Sequence, residues 1–213
     1  MPELELEIES HIYTLNGVKI PGCTQVLAAM NCTPGFNWLT PEQLAFYRSR
    51  GHAVHSCVEY SIRGTLDRRS VDPEVKGYLI GWERAVNDLG IEVLQHNGTP
   101  FVETILSHPR YKYGVKPDVA AFVRAYKDSG PIEIKATSQH SAATALQLGA
   151  QAIAIRHVMP KIGNLRLGLR LLPEQPYYHA KPYTDWRHDE AMWLNMFFSY
   201  LWLQKNKCLK ENR

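Results

Sequence analysis

Cysteine is scarce in this chain, and what there is falls in no metal-binding spacing. The four residues, Cys23, Cys32, Cys57 and Cys208, include no C-x-x-C pair. A local zinc or iron–sulfur site therefore has no support, and a chain of 213 residues does not need disulfide staples. They read as reduced, mostly buried thiols. No apolar stretch approaches the ~20 residues that a membrane-spanning helix needs, so no span is predicted. The opening "MPELELEIES" is acidic and alternating, the opposite of a secretion signal. The expected location is cytoplasmic. A large excess of either charge is also missing. A net charge of +3 permits a nucleic-acid partner without arguing for one, and DNA binding would require the positive charge on one face. Repeats, low-complexity tracts and linkers are absent, so residues 1–213 are expected to form a single domain. Its hydrophobic content of 45% is enough for a sizeable core.

What is present alternates between strand and helix signals. Residues 3–22 alternate polar and apolar around Asn16-Gly17, a hairpin signal. Thr24 is expected to cap a short helix, "QVLAAM", followed by a loop with Pro34 and Gly35. Thr40-Pro41-Glu42 reads as N-cap, first-turn proline and acidic first turn. The helix it opens should turn Ala45, Val54, Val58 and Ile62 inward, with a break near Gly51. A second helix starts at Asp72-Pro73 with Val75, Leu79, Trp82, Val86 and Leu89 on one stripe and stops at Gly90. Strands are expected in "IEVLQHN", "FVETILSH" and "KPDVAAFVRAY", with a turn at Asp128-Ser129-Gly130 leading into "PIEIKAT". A helix over about 141–158, two more strands ("NLRLGLRLLP", "YYHAKPY") and a helix over about 186–205 complete the chain. The aromatic run "DEAMWLNMFFSYLWL" is core rather than a stacking platform. The element order predicts an α/β fold, a central mixed β-sheet flanked by helices.

The chemistry concentrates in "PIEIKATSQH". Residues two apart on a strand share a face, so Glu133 and Lys135 project together while Ile132, Ile134 and Ala136 face a core. An E-x-K on its own is ordinarily a solvated pair, and the chain carries such a copy at Glu74-Val75-Lys76, at a helix start. The second copy differs because a hairpin would bring Asp118 beside Glu133. Adjacent carboxylates repel unless a cation lies between them, and a hard divalent ion suits their oxygens. A lysine beside such an ion can stabilise a phosphate oxyanion or the attacking hydroxide. Asp118, Glu133 and Lys135 thus form a constellation for metal-assisted hydrolysis. Elsewhere, "HPRYKYGVK" interleaves Arg110, Lys112 and Lys116 with Tyr111 and Tyr113, as a nucleic-acid groove or a solvated hairpin loop would. Arg48 and Arg50 could meet phosphates by the same logic.

The pair "PD" at 117–118 with "EIK" at 133–135 resembles the PD-(D/E)XK nuclease signature. "RGHAVHSCVE" resembles the helix motif of RecB-type exonucleases, with His55 at the histidine position. "ALQLGAQ" resembles the Q-x-x-x-Y motif, with Gln147 at the glutamine and Gln151 in place of the tyrosine. "YTLNGVKIPGCTQVL" is similar to the hairpin-and-helix preface of phage and mitochondrial members. The resemblance implies a restriction-endonuclease-like core over 41–205 behind a preface over 1–40. It implies a divalent-metal-dependent DNA exonuclease of phage-type recombination, repair or DNA processing, leaving 5′-phosphate and 3′-hydroxyl ends. The implied metal set is His55, Asp118, Glu133 and the backbone of Ile134, holding one or two Mg²⁺ or Mn²⁺ ions. Lys135 and Gln147 join Asp118 and Glu133 as catalytic residues, and Glu59, Glu103 and Gln151 surround them. No iron–sulfur cluster is implied, since only Cys208 lies downstream. The implied partners are DNA, single-stranded or at duplex ends, and a recombination or single-strand-binding protein. A structure-specific endonuclease on the same fold and a non-catalytic DNA-binding module remain open alternatives.

Overall fold

The computed structural model describes residues 3–7, 12–33, 35, 38–137, 141–175 and 177–209. Pro34 of the expected loop and part of the N-terminal alternation, residues 8–11, lie outside them. In chain order the elements are β1 (Leu4–Glu7), β2 (Ile12–Leu15), β3 (Val18–Ile20), α1 (Cys23–Ala29), α2 (Pro41–Arg63) and α3 (Pro73–Leu89). There follow β4 (Ile91–Val93), β5 (Gln95–His96), β6 (Thr99–Pro100), β7 (Leu106–Ser107), β8 (Gly114–Val115), β9 (Val119–Val123) and β10 (Asp128–Lys135). The chain closes with α4 (Ala143–Val158), β11 (Leu167–Leu171), β12 (Tyr178–Pro182) and α5 (Trp186–Lys205).

The fold is α/β. Five strands form a mixed sheet in the order β12-β11-β10-β9-β4. β10 and β11 run parallel, joined through α4, and the other neighbours are antiparallel. Alternation along the strands feeds two cores. Val119, Ala121, Val123, Ile132 and Ile134 pack with Val54, Val58, Val75, Leu79 and Trp82 of α2 and α3. Ala120 packs on the other side with residues of α1, α4 and α5, including Ala150, Ala154, Trp193 and Phe197. Because Ile132 and Ile134 face the α2–α3 layer, Glu133 and Lys135 project to the opposite face, where α4 lies. The small residues of α4, among them Ala143, Gly149, Ala150, Ala152 and Ala154, allow it to be buried nearly all round.

Capping explains the helix starts. Thr40 Oγ1 accepts the Gln43 N–H at 3.2 Å, and Gln43 Oε1 accepts the Thr40 N–H at 3.0 Å, a reciprocal pair that satisfies two orphan donors. Asp72 accepts the Glu74 N–H at 2.8 Å and Pro73 opens α3, so the Glu74-Val75-Lys76 copy does sit at a helix start.

Five local expectations are corrected. α1 begins at Cys23, so Thr24 lies in its first turn, and Gln25 Oε1 accepts the Gly22 N–H at 3.3 Å. α2 runs unbroken through Gly51. Ala45 is exposed, since the first turns of α2 project beyond the core. The "FVETILSH" segment makes only an isolated bridge, Val102 to Val119, before β7. Finally, the reversal before β10 is a 3₁₀ turn over Arg124–Tyr126 with Lys127 left-handed at φ 51°, and Asp128-Ser129-Gly130 already belongs to the strand. Gly130 serves a close approach instead: a Cβ there would lie 1.9 Å from the Leu165 carbonyl oxygen.

The N-terminal strands form their own antiparallel sheet, β1-β2-β3. It docks on β8 through the Gly114 N–H, which donates to the Pro21 carbonyl at 2.9 Å, and through the Tyr13 ring. A Cβ at Gly114 would sit 2.2 Å from a carbon of that ring, so the contact requires glycine. This docking brings the first helix and hairpin to the wall of the site described next.

Candidate metal centre

Three elements deliver side chains to one point. Val54 and Val58 anchor α2 in the core, which sets His55, the next residue after Val54, toward the sheet. Asp118 stands at the head of β9, one register step beyond the Val119–Ile132 pair, and so opposite Glu133. Its Oδ2 accepts the Ile134 N–H at 2.6 Å. Glu103 is held in the left-handed region at φ 48°, an uncommon conformation for a residue with a long side chain. Its own N–H donates to the Asp118 carbonyl at 2.9 Å, which fixes it beside β9.

His55 Nδ1 lies 3.1 Å from Glu103 Oε1 and 3.4 Å from Asp118 Oδ1. One ligand atom from each of His55, Glu103 and Asp118 lies within 4.8 Å of the others, a spacing that could hold a metal ion. The three line a cavity of roughly 540 Å³. A nitrogen with carboxylate oxygens is a donor set that fits a divalent cation such as Mg²⁺ or Mn²⁺.

A second cluster adjoins the first. Lys135 Nζ donates to Glu133 Oε1 at 2.5 Å and to Gln147 Oε1 at 3.4 Å. Gln147 Nε2 donates to Glu133 Oε1, and Gln151 Nε2 to Glu133 Oε2, both at 2.7 Å. Gln147 and Gln151 stand one turn apart on α4, so a single helix face clamps the Glu133 carboxylate. Gln151 is buried, and its Oε1 has no hydrogen-bond partner among the described residues. At the position where the resembling motif carries tyrosine, this chain thus has a direct donor to Glu133.

Environment separates the two buried acids. Burial alone would raise Asp118, but His55, Lys135 and the Ile134 N–H hold it below the usual carboxylate range. Glu133 is pushed up by burial and by Asp118, against Lys135 and Gln151. Burial would depress His55, yet Asp118 and Glu103 outweigh it and lift it to about 10. Lys135 is likewise raised: burial works against its charge, and Glu133 and Asp118 more than compensate. At neutral pH the site therefore holds an ionised Asp118 with His55 and Lys135 charged. Opposed shifts of neighbouring acids are common at functional sites and also arise in structural ion-pair networks.

The remaining residues named from sequence divide. Glu59 lines the cavity, but its carboxylate pairs with Arg63 Nε at 2.9 Å rather than with His55. Arg48 is exposed and lines the cavity. Arg50 lies against the rings of Phe46, Tyr47 and Tyr78, with its guanidinium carbon 5.0 Å from the Tyr47 centroid. Arg110 and Lys112 are exposed, Arg110 over the Tyr111 ring. Tyr113 is a correction. It is fully buried, donates its hydroxyl to the Ala150 carbonyl at 2.9 Å and packs edge-on to Trp193, so it offers no face to nucleic acid. The interleaved pattern could not show which ring turns inward. Lys116 adjoins the candidate cluster, with Nζ 2.5 Å from Glu103 Oε2. Tyr13, Cys23 and His52 also line the cavity; they fall inside the preface and helix motifs read from the sequence but were not singled out there, because nothing in those motifs shows which of their residues face a site.

No protein-family model matches the chain, and no curated protein matches it. Among solved structures it is similar to one described as the crystal structure of LHK-Exo in complex with dAMP. The identity is 12% and the TM-score 0.38, over 88% of this chain and 92% of that one.

Proposed function

We propose that this protein is a divalent-metal-dependent DNA exonuclease that hydrolyses phosphodiester bonds, of the kind used in phage-type recombination, repair or DNA processing. The observation that carries the reading is the convergence of His55, Glu103 and Asp118 in one cavity, with the Lys135–Glu133 pair held next to it by Gln147 and Gln151 of the cavity wall. His55, Glu103 and Asp118 would hold one Mg²⁺ or Mn²⁺ ion, with the Ile134 carbonyl as a further donor. Glu133 would join by giving up one of its glutamine partners. A divalent ion so held polarises the phosphate and favours an ionised attacking water.

The chain's own residues supply the rest. Lys135 keeps its proton because two carboxylates face it, so it presents a fixed positive charge to the anion that develops at phosphorus. Gln147 restrains both members of the Lys135–Glu133 pair, which limits the ammonium's freedom before substrate arrives. Arg48, exposed and part of the cavity lining, with the exposed Arg110 and Lys112 elsewhere on the surface, would supply cations for backbone phosphates.

The test is digestion of linear DNA labelled at its 5′ or 3′ end, with Mg²⁺ or Mn²⁺ supplied. Wild type should release labelled nucleotides only with metal, and Lys135→Ala and Asp118→Asn should each lose on the order of 10²-fold or more in rate. Circular single-stranded DNA should stay intact. Hydrolysis by Lys135→Ala at the wild-type rate would remove that residue from the mechanism. Nicking of circles would replace the exonuclease by an endonuclease, and no metal-dependent hydrolysis at all would refute the proposal.

A further inference from the structure

The site contains two lysines arranged alike. Lys116 precedes Asp118 by two residues just ahead of β9, and both line the cavity, while Lys135 follows Glu133 by two on one face of β10. The proposed mechanism uses Lys135. Lys116 does something else, because its ammonium does not pair with Asp118. It reaches Glu103 Oε2 at 2.5 Å, on the oxygen opposite the one that faces His55.

Glu103 is thereby saturated with positive charge from two sides. Its side chain is only 11% exposed, and that of Lys116 is 31% exposed. The backbone under Glu103 is left-handed, a strained arrangement that places this carboxylate between the histidine and the lysine. A carboxylate paired with an ammonium in a partly buried site is a weaker ligand, since a metal ion must compete with the bound cation for the same charge.

We propose, resting on the metal-site reading above, that Lys116 is a resident counter-cation of the metal-free site. It neutralises Glu103 until a divalent ion enters, and metal entry requires that Glu103 release it. Lys116 accordingly sets the metal affinity of the site downward and keeps the metal-free cluster from repelling itself apart. It is a positioning residue acting through Glu103.

The probe is Mn²⁺ alone, with no DNA. Unbound Mn²⁺ is counted by its electron paramagnetic resonance signal in titrations of wild type, Lys116→Met, Lys116→Gln, Lys116→Arg and Asp118→Asn. Lys116→Met should bind Mn²⁺ about tenfold more tightly than wild type, the scale of one lost charge-assisted hydrogen bond. Lys116→Arg, which keeps the charge, should bind as wild type does. Without metal, Lys116→Met should melt lower than wild type, and saturating Mn²⁺ should restore more of its melting temperature than it adds to wild type. Lys116→Gln carries the same expectations if the methionine variant does not fold. Equal or weaker Mn²⁺ binding by the neutral variants overturns the role of Lys116. In that case wild-type binding that Asp118→Asn abolishes leaves the metal site itself standing. Wild type and Asp118→Asn binding alike ends both readings.

Discussion

Replacing Glu133 tests the arrangement on which the site depends. Its carboxylate is 2% exposed and accepts from Lys135, Gln147 and Gln151. Glu133→Ala leaves an ammonium and two amides without their acceptor. Removing one partner of a buried pair costs about 3–5 kcal/mol. Two features place this case at the low end of that range. The Lys135 side chain is 29% exposed and can turn toward water, and loss of Glu133 also removes its repulsion with Asp118. The expected loss is about 3 kcal/mol, which for a chain of this size lowers Tm by about 6–12 °C. Glu133→Gln keeps the volume and one carbonyl acceptor, and Lys135 retains Gln147 Oε1, so the loss should be about 1–2 kcal/mol. The assay is urea unfolding with chelator present, so that metal binding does not contribute. A Glu133→Ala protein within about 1 kcal/mol of wild type, or a glutamine variant as damaged as the alanine one, would refute the view that this carboxylate anchors Lys135 and α4.

Two further outcomes follow from the geometry. His55 is raised from its ordinary 6.5 to about 10, because Asp118 and Glu103 outweigh burial. Stability from that charge is complete below pH 6.5 and is lost as pH climbs through about 10. The metal-free protein should lose stability over that window while Mn²⁺ affinity rises by up to about tenfold per pH unit, since the bound imidazole must shed its proton. Calorimetric titrations between pH 6.5 and 8.5 check this, and a flat affinity would count against His55 as a ligand. Gly114→Ala should destabilise by about 1–3 kcal/mol and expose residues 12–22 to protease, because its Cβ cannot coexist with the Tyr13 ring. Gly51→Ala, in mid-helix with open space around it, should stabilise by about 0.5–1 kcal/mol, so equal behaviour of the two would defeat the argument.

Local chemistry made much of the fold legible. The Thr40-Pro41 start, the Asp72-Pro73 start and the Asn16-Gly17 turn each act within a few residues, where the identity of the side chain decides the hydrogen bond. Alternation in Ile132–Lys135 was equally informative, because a strand sends neighbours to opposite faces whatever surrounds it. The approach of Asp118 to Glu133 followed from one hairpin. The failures were of another kind. Asp128-Ser129-Gly130 has turn composition, yet it lies in β10 because it pairs with Ala121–Val123 of β9 on one side, while on the other the Leu165 N–H donates to the Ser129 carbonyl at 3.1 Å.

By itself, then, the sequence determined where α2 and α3 begin, which faces of β9 and β10 are apolar, and that Glu133 and Lys135 share one strand face. Those outcomes depend on contacts between residues close along the chain. Only the tertiary structure decided that Glu103 rather than Glu133 meets His55, that Tyr113 faces Trp193, and that Lys116 is spent on a carboxylate. Each of these turns on which distant segment arrives opposite a side chain, and neither spacing nor residue type carries that information.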